Sequence, residues 1–274
     1  MEAKSVDEIP VGDEWQYEPK WDGFRCIAFR DGDDVFLQSK AGQPLARYFP
    51  DVVAKLLELK ATRFVIDGEI VIPIGGAFSF DELQLRLHPA ASRVQKLAAA
   101  HPAMFIVFDL LADQSGRSFV TSPLQERRVA LERFADENLS AKGPVRLSPA
   151  TTKLALAKKW FDKVGGNLDG VIAKQLNVPY ASGERTAMMK VKQIRTADCV
   201  IGGFRYATGA RVLGSLLLGL YDDAGLLNHV GFTSAFKTTE RPALTAKFEA
   251  LKKAPGFTGD APGGPSRWST ERSA

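Results

Sequence analysis

The segment Glu18-Pro19-Lys20-Trp21-Asp22-Gly23-Phe24-Arg25 gathers one amine, two carboxylates and a guanidinium around a glycine. By composition it is either a charged turn before a hairpin or a loop built for a ligand. Gly23 serves both, because a residue without Cβ also lets backbone approach a ligand closely. Further charged clusters follow at Ser39-Lys40-Ala41-Gly42, Asp67-Gly68-Glu69, Asp169-Gly170-Val171-Ile172-Ala173-Lys174 and Lys190-Val191-Lys192. Glu69 is flanked by Ile66, Ile70, Val71 and Ile72, so an inward-facing carboxylate there needs a partner. Lys190 and Lys192 alternate with Met189, Val191 and Ile194, the pattern of lysines on a solvated strand face. Phe108, within an apolar run, reads by itself as core.

These clusters need elements to hold them. Residues 24–39 alternate apolar and polar on either side of Asp31-Gly32-Asp33-Asp34, which predicts a β-hairpin. Before it, only Met1 to Asp13 precede the first strand. Val52, Val53, Leu56, Leu57 and Leu59 share a helical face over 49–60. A strand is predicted at 63–73, closed by Pro73 and Gly75-Gly76. Phe80, Leu83 and Leu87 give a short helix its apolar face. The continuous apolar run 104–111 reads as a central strand. Ser122 before Pro123 predicts an N-cap and a helix to about Phe134. Thr151 and Thr152 open another helix, which Gly165-Gly166 ends. Strands follow at 168–176 and 187–194. Residues 1–194 thus read as one α+β domain.

After Arg195 the texture changes. Residues 198–207, 212–222 and 226–234 look like three strands, with Asp222-Asp223-Ala224-Gly225 turning between the last two. A helix is predicted over 239–253, and the tail from Pro255 is irregular. Three strands and a helix begin a five-stranded OB-type barrel, which would continue with two more strands.

The bulk numbers suit a globular chain of 274 residues: 45% hydrophobic, 25% charged, net charge +4, pI near 9.0. A mild basic excess is compatible with a nucleic-acid partner without requiring one. Cys26 and Cys199 form neither a disulfide framework nor a zinc site, and each reads as a small buried side chain. His88, His101 and His229 show no ligand spacing. No signal peptide is visible and no apolar run approaches the roughly 20 residues of a membrane span. A cytoplasmic, monomeric protein is the expectation.

Taken in order, the charged clusters and Phe105 to Leu110 resemble the motif series of the covalent nucleotidyltransferases: ATP-dependent DNA ligases, RNA ligases and mRNA capping enzymes. The wording EPKWDGFR and DGVIAK, followed by a K-V-K pair, is most similar to bacterial ATP-dependent DNA ligases. These are the ligase C class and the ligase domain of the end-joining ligase D. The resemblance runs from about Trp15 to Trp268. It implies an α+β fold: a nucleotidyltransferase (ATP-grasp-like adenylation) domain over 1–194 and a partial OB-fold β-barrel over 195–274.

The resemblance also implies roles. Lys20 is the nucleophile that takes AMP from ATP as a lysyl-AMP phosphoramide. Glu18 reads the adenine edge, and Phe108 stacks on adenine. Arg25 and Lys40 lie near ribose and phosphates. Glu69 binds ribose or a metal, and Asp169 binds metal, Mg²⁺ or Mn²⁺. Lys174, Lys190 and Lys192 contact the α-phosphate and pyrophosphate. The chemistry explains the cations. An attacking amine must be unprotonated, an ordinary lysine has a pKa of roughly 10.4, and neighbouring Arg25, Lys174, Lys190 and Lys192 disfavour its charged form. The implied partner is nicked duplex DNA, held through its phosphates.

Position 40 is Lys where the family usually has Arg, which keeps the charge and loses the bidentate fork. Position 169 is Asp where Glu is commoner. The last two barrel strands and a basic motif that orients pyrophosphate are not found before Ala274. The expectation is therefore a truncated chain that reacts slowly with ATP and seals nicks poorly. Two rivals stay open: an RNA ligase or GTP-using capping enzyme, and a non-catalytic DNA-end binding module.

Overall fold

In the computed structural model, which describes residues 1–164, 168–193 and 196–262, backbone packing divides the chain into two compact units, Met1–Ile194 and Arg195–Ala274. In chain order the first holds β1 (Lys4–Ser5), β2 (Trp15–Trp21), β3 (Phe24–Asp31), β4 (Asp34–Ser39), α1 (Pro50–Leu57), β5 (Arg63–Val71), β6 (Pro73–Ile74), β7 (Ala77–Phe78), α2 (Phe80–Arg86), α3 (Ala91–Ala100), β8 (Met104–Ala112), α4 (Leu124–Asn138), β9 (Val145–Leu147), α5 (Leu154–Phe161), β10 (Leu168–Gln175) and β11 (Met188–Lys192).

Alternation sends successive strand residues to opposite faces, and here it builds two sheets. The larger has the order β4-β3-β5-β8-β9 and is antiparallel except for β8–β9. On one face Cys26, Ala28, Leu37, Phe64, Ile66, Ile70, Phe105 and Val107 form a core. Phe49, Val52 and Leu56 at α1, Leu83 of α2, and Leu131 and Phe134 of α4 belong to the same cluster. Each fully buried Leu, Ile or Phe contributes about 1.5–3 kcal/mol. The smaller sheet, β1-β11-β10-β2, is antiparallel except for β1–β11. Its outer face, Trp15, Tyr17, Val171 and Ala173, packs on Leu154, Ala157 and Trp160 of α5. The opposite faces of both sheets remain for the polar residues.

The hairpin turns at Gly32, whose φ of 61° is in the left-handed region that glycine favours. Elsewhere the structure corrects the helix starts. Ser122 is not the cap of α4: Pro123 is, in an extended conformation, without a side-chain cap. The amides of Leu124 and Gln125 instead donate to the carbonyls of Val178 and Leu176, at 3.0 and 3.1 Å. A neighbouring segment thus satisfies the orphan donors that a serine would cap. α5 starts at Leu154, after Thr151 pairs with Tyr17 through backbone and its hydroxyl accepts from Lys153 N at 3.0 Å. It closes at Phe161, and Gly165-Gly166 lies outside the described residues. β1, β6, β7, α3 and β9 add to the elements read from sequence.

The second unit contains β12 (Val200–Tyr206), β13 (Leu213–Tyr221), β14 (Leu227–Thr233) and α6 (Arg241–Ala250). The strands pair antiparallel in sequence order. Asp222 Oδ1 accepts from Ala224 N and Leu226 N at 3.0 and 2.9 Å, which shapes the turn into β14. Leu213 N donates to Thr245 Oγ1 at 2.7 Å, tying α6 to β13. Among the described residues this sheet stays open, as a partial OB-fold rather than a closed barrel. Residues 255–262 carry no regular element, and the tail beyond 262 lies outside the described residues. No helix of the described residues is long and apolar enough to cross a membrane.

Candidate active site

The two polar faces of the first unit enclose a cleft of about 370 Å³. One wall comes from alternate residues of the smaller sheet. In register across it, Lys20 on β2 lies opposite Gly170, Glu18 opposite Ile172 and Gln16 opposite Lys174; on β11, Lys190 lies opposite Ile172 and Lys192 opposite Gly170. The lysines read as a solvated face therefore look into the cleft, while Met189 and Val191 turn away from it. The other wall carries Arg25, Glu69 and Phe108.

Two bulges break the alternation at the site. On β8 the partners run Gly68↔Val107 and then Asp67↔Asp109, which leaves Phe108 without a partner. On β10 they run Leu168↔Trp21 and then Gly170↔Lys20, which leaves Asp169 extra. A bulge bends the strand and re-aims a side chain. On β8 the extra residue lets Phe108 and Asp109 both face away from the core held by Phe105, Val107 and Leu110, and on β10 it turns Asp169 from the outer face of Val171 and Ala173 toward Lys20. Gly170 is required where it stands: its φ is +150°, and a Cβ would lie 1.9 Å from the Val191 carbonyl. Gly23 also has a steric reason. A Cβ would lie 2.3 Å from the Ile70 carbonyl, so the close approach is to the protein's own strand β5.

Asp169 Oδ2 stands 2.6 Å from Lys20 Nζ and 2.6 Å from Lys192 Nζ. Burial pushes its carboxyl up, but hydrogen bonds from Lys192 and Lys20 hold it below the usual carboxylate range. The sequence suggests cations around Lys20; the structure sets an anion directly against it and pairs two of the cations elsewhere. Lys174 Nζ is 2.8 Å from Glu18 Oε2, with both residues buried. This is an ion pair without hydrogen-bond alignment, and the ammonium also lies 4.6 Å from the centre of the Phe108 ring. Gln16 Nε2 donates to Glu18 Oε1 at 2.8 Å. Both carboxylate oxygens of Glu18 are thus engaged inside the protein.

Arg25 forks onto Asp67, Nε to Oδ1 at 3.2 Å and Nη2 to Oδ2 at 2.7 Å, with its guanidinium 5.6 Å from the Phe108 ring centre. Burial raises the Asp67 carboxyl, yet Arg25 and then Tyr180 outweigh it and hold the group below its ordinary value. Glu69 has no hydrogen bond or ion pair among the described residues. Desolvation raises its pKa to about 8, and the charges of Lys20 and Arg25 offset this only in part. Lys40 and Arg185 flank Glu2 at 3.5 and 3.0 Å at the rim. Lys190 is lowered by burial and then by Lys192, Lys20, Lys40 and Arg185.

Every site residue singled out from sequence lines this cleft or, as Asp169, contacts it through Lys20 and Lys192. Four further residues belong to it: Gln16, Asp67, Tyr180 and Arg185. Gln16 shares the alternation of Glu18 and Lys20, and Asp67 is a carboxylate in the same apolar strand as Glu69, so both had a signal. Arg185 and Tyr180 had none.

A lysine between two sheets, ringed by paired cations, belongs to a known class of enzyme. The chain is a member of the ATP-dependent DNA ligase family, whose description, ATP dependent DNA ligase domain, matches residues 1–192. It is 51% identical to DNA ligase C2 of Mycolicibacterium smegmatis and 46% identical to DNA ligase C of Mycobacterium tuberculosis, each over 258 residues. Each match covers 92% of this chain and 70% of the relative. Among solved structures it is similar to mycobacterial DNA ligase D complexed with ATP and MES, with a TM-score of 0.55 and 25% identity over 98% of this chain and 83% of that one. A Lig E DNA ligase shares the fold, with a TM-score of 0.60, 17% identity and coverage of 89% and 88%.

Proposed function

We propose that Lys20 is the residue this ligase adenylates and that the cleft around it binds ATP. One observation carries the reading: the cleft is lined by seven cationic side chains and three carboxylates, an excess equal to the net +4 of the whole chain. A polyphosphate is the ligand such a cavity favours. Lys20 Nζ gives its proton to solvent and leaves Asp169, then forms a bond to the α-phosphorus as the bond to the bridging oxygen breaks and pyrophosphate leaves. Lys190 and Lys192 neutralise the phosphates, with Lys40 and Arg185 at the rim. Phe108 offers its ring to adenine, with the Lys174 ammonium 4.6 Å and the Arg25 guanidinium 5.6 Å from the ring centre. Glu18, its carboxylate committed to Lys174 and Gln16, reads the adenine edge through its backbone.

Asp169 and Glu69 fit a divalent cation of the kind that takes one or two carboxylates and completes its shell with substrate phosphates. Glu69, desolvated and without a direct partner, is the stronger argument for that fit. Bound there, Mg²⁺ or Mn²⁺ would neutralise charge on the phosphates. Residues 1–194 then act as the adenylation domain and 195–274 as the OB-fold domain. The working form is a cytoplasmic monomer on nicked duplex DNA. There AMP passes from Lys20 to the 5′-phosphate, and the 3′-hydroxyl displaces it.

Incubation with α-labelled ATP and Mg²⁺, followed by denaturing electrophoresis, tests the first step. A covalent, acid-labile label that Lys20→Ala lacks is the expected result. A label that survives Lys20→Ala would overturn the assignment.

A further inference from the structure

Tyr180 lies in the connection between β10 and β11, and the chemistry described above assigns it no part. Its position is nevertheless tightly specified. Its amide donates to the Val120 carbonyl at 2.9 Å. Its ring lies 5.6 Å from the guanidinium of Arg127, which is itself buried and doubly bonded to Asp109 at 2.9 and 3.0 Å. Arg127 Nη1 also donates to the carbonyls of Ser122 and Val178, at 2.8 and 3.2 Å, so it anchors the segment leading into Tyr180. The ring is thereby fixed with its hydroxyl pointing at the floor of the nucleotide cleft.

The hydroxyl makes two contacts there. It donates to Asp67 Oδ2 at 2.6 Å and accepts from Arg25 Nη2 at 3.3 Å. Arg25 has five N–H donors. Two go to Asp67, one to Tyr180 and one, from Nη1, to the Met1 carbonyl. A single N–H and the face of the guanidinium remain for the cleft, beside Phe108. Asp67 alone would leave the fork free to pivot about the carboxylate, because both of its bonds lie in one plane. The Met1 carbonyl on Nη1 and the Tyr180 hydroxyl on Nη2 restrain that pivot, and of the two only the hydroxyl also holds Asp67 Oδ2.

We propose that Tyr180 is a positioning residue for ATP binding, which locks the Asp67–Arg25 fork so that the guanidinium stands at a fixed angle beside Phe108. The proposal rests on the reading that this cleft binds ATP. Tyr180→Phe keeps the ring on Arg127 and removes only the hydroxyl.

The measurement is labelling of Lys20 from α-labelled ATP over a range of ATP concentrations, with the melting temperature recorded alongside. For Tyr180→Phe we expect half-saturation to rise about tenfold, the size of one lost hydrogen bond to a charged group, while the maximal rate stays within about twofold and the fold is retained. Since the effect runs through Arg25, adding Tyr180→Phe to Arg25→Ala should raise half-saturation no further. An unchanged half-saturation in folded Tyr180→Phe, or a full additional rise in the double variant, overturns the proposal. If Tyr180→Phe does not fold, Tyr180→Met, which also lacks the hydroxyl, takes its place: the same rise supports the proposal, and a folded variant with unchanged half-saturation ends it. Calorimetric ATP binding to Lys20→Ala, with and without Tyr180→Phe, separates this idea from the adenylation reading. A tenfold weaker Kd supports Tyr180 even if Lys20 is never labelled, and equal Kd values refute it.

Discussion

Replacing Gly170 by alanine tests how the site is held. The added methyl would lie 1.9 Å from the Val191 carbonyl, where ordinary contact begins at 3.4 Å, so β11 must retreat by about 1.5 Å. Lys192 sits on that strand next to Val191, and its contact with Asp169, now 2.6 Å, would stretch to about 4 Å, the limit of an ion pair. A backbone φ of +150° adds a strain of about 1–3 kcal/mol for a residue with a Cβ. A displacement of this size at a reacting centre lowers rate by about a hundredfold. Single-turnover labelling of Lys20 and a thermal melt read both effects. Gly183→Ala is the control: its φ is +76° but nothing lies within 4 Å of the added carbon. That variant should lose a little stability and keep its labelling rate. If Gly170→Ala labels within twofold of the parent protein, or is no worse than Gly183→Ala, the steric account of the site is wrong.

Asp109→Ala should destabilise the fold by about 3–5 kcal/mol, because it strands the fully buried Arg127 without its counter-charge; urea unfolding showing a loss under 1 kcal/mol would contradict this. Chelating divalent cations should abolish labelling but leave the melting temperature of the nucleotide-free protein unchanged, since no group of three or more metal-ligating side chains exists among the described residues. A lower melting temperature in chelator would mean a structural metal. Acid should expose Asp67: its folded carboxyl lies below the ordinary 3.8, so the unfolded chain takes up the proton first as pH falls. The stabilisation, complete above about pH 5, is then lost as pH drops through that value toward the folded one. Melts across that range should show a shallower acid limb for Asp67→Asn, and identical limbs would refute the assignment.

What sequence reading recovered follows the physics of each element. The hairpin at Gly32 and the strands β5, β8 and β10 were legible because alternation, a positive-φ turn and apolar runs are local signals. α3 was not, since only Val94 and Ala98 of its residues are buried and the apolar stripe is too thin to read. β1 and β9 exist only through partners distant in sequence, Met189 and Lys190 for one, Phe105 to Val107 for the other. The capping of α4 by Val178 and Leu176 is invisible for the same reason. In the site, the ordered motif series and its resemblance to the nucleotidyltransferases brought Lys20, Glu69, Lys174 and Lys192 together; residue types alone read Lys192 as part of a solvated face. Which carboxylate meets which cation was not readable, because the pairs Glu18–Lys174, Arg25–Asp67 and Lys20–Asp169 each join separate strands.

The two bulges carry a consequence for how such a cleft can vary. In a regular strand, changing what faces the ligand also fixes what faces the core, since the two sets interleave residue by residue. Phe108 and Asp169 stand outside that interleaving. The Phe108 ring and the carboxylate beside Lys20 can therefore be exchanged without re-registering a single core strand. The hydrophobic interior and the chemistry are inherited on separate terms, and the site can be re-cut while the scaffold is left alone.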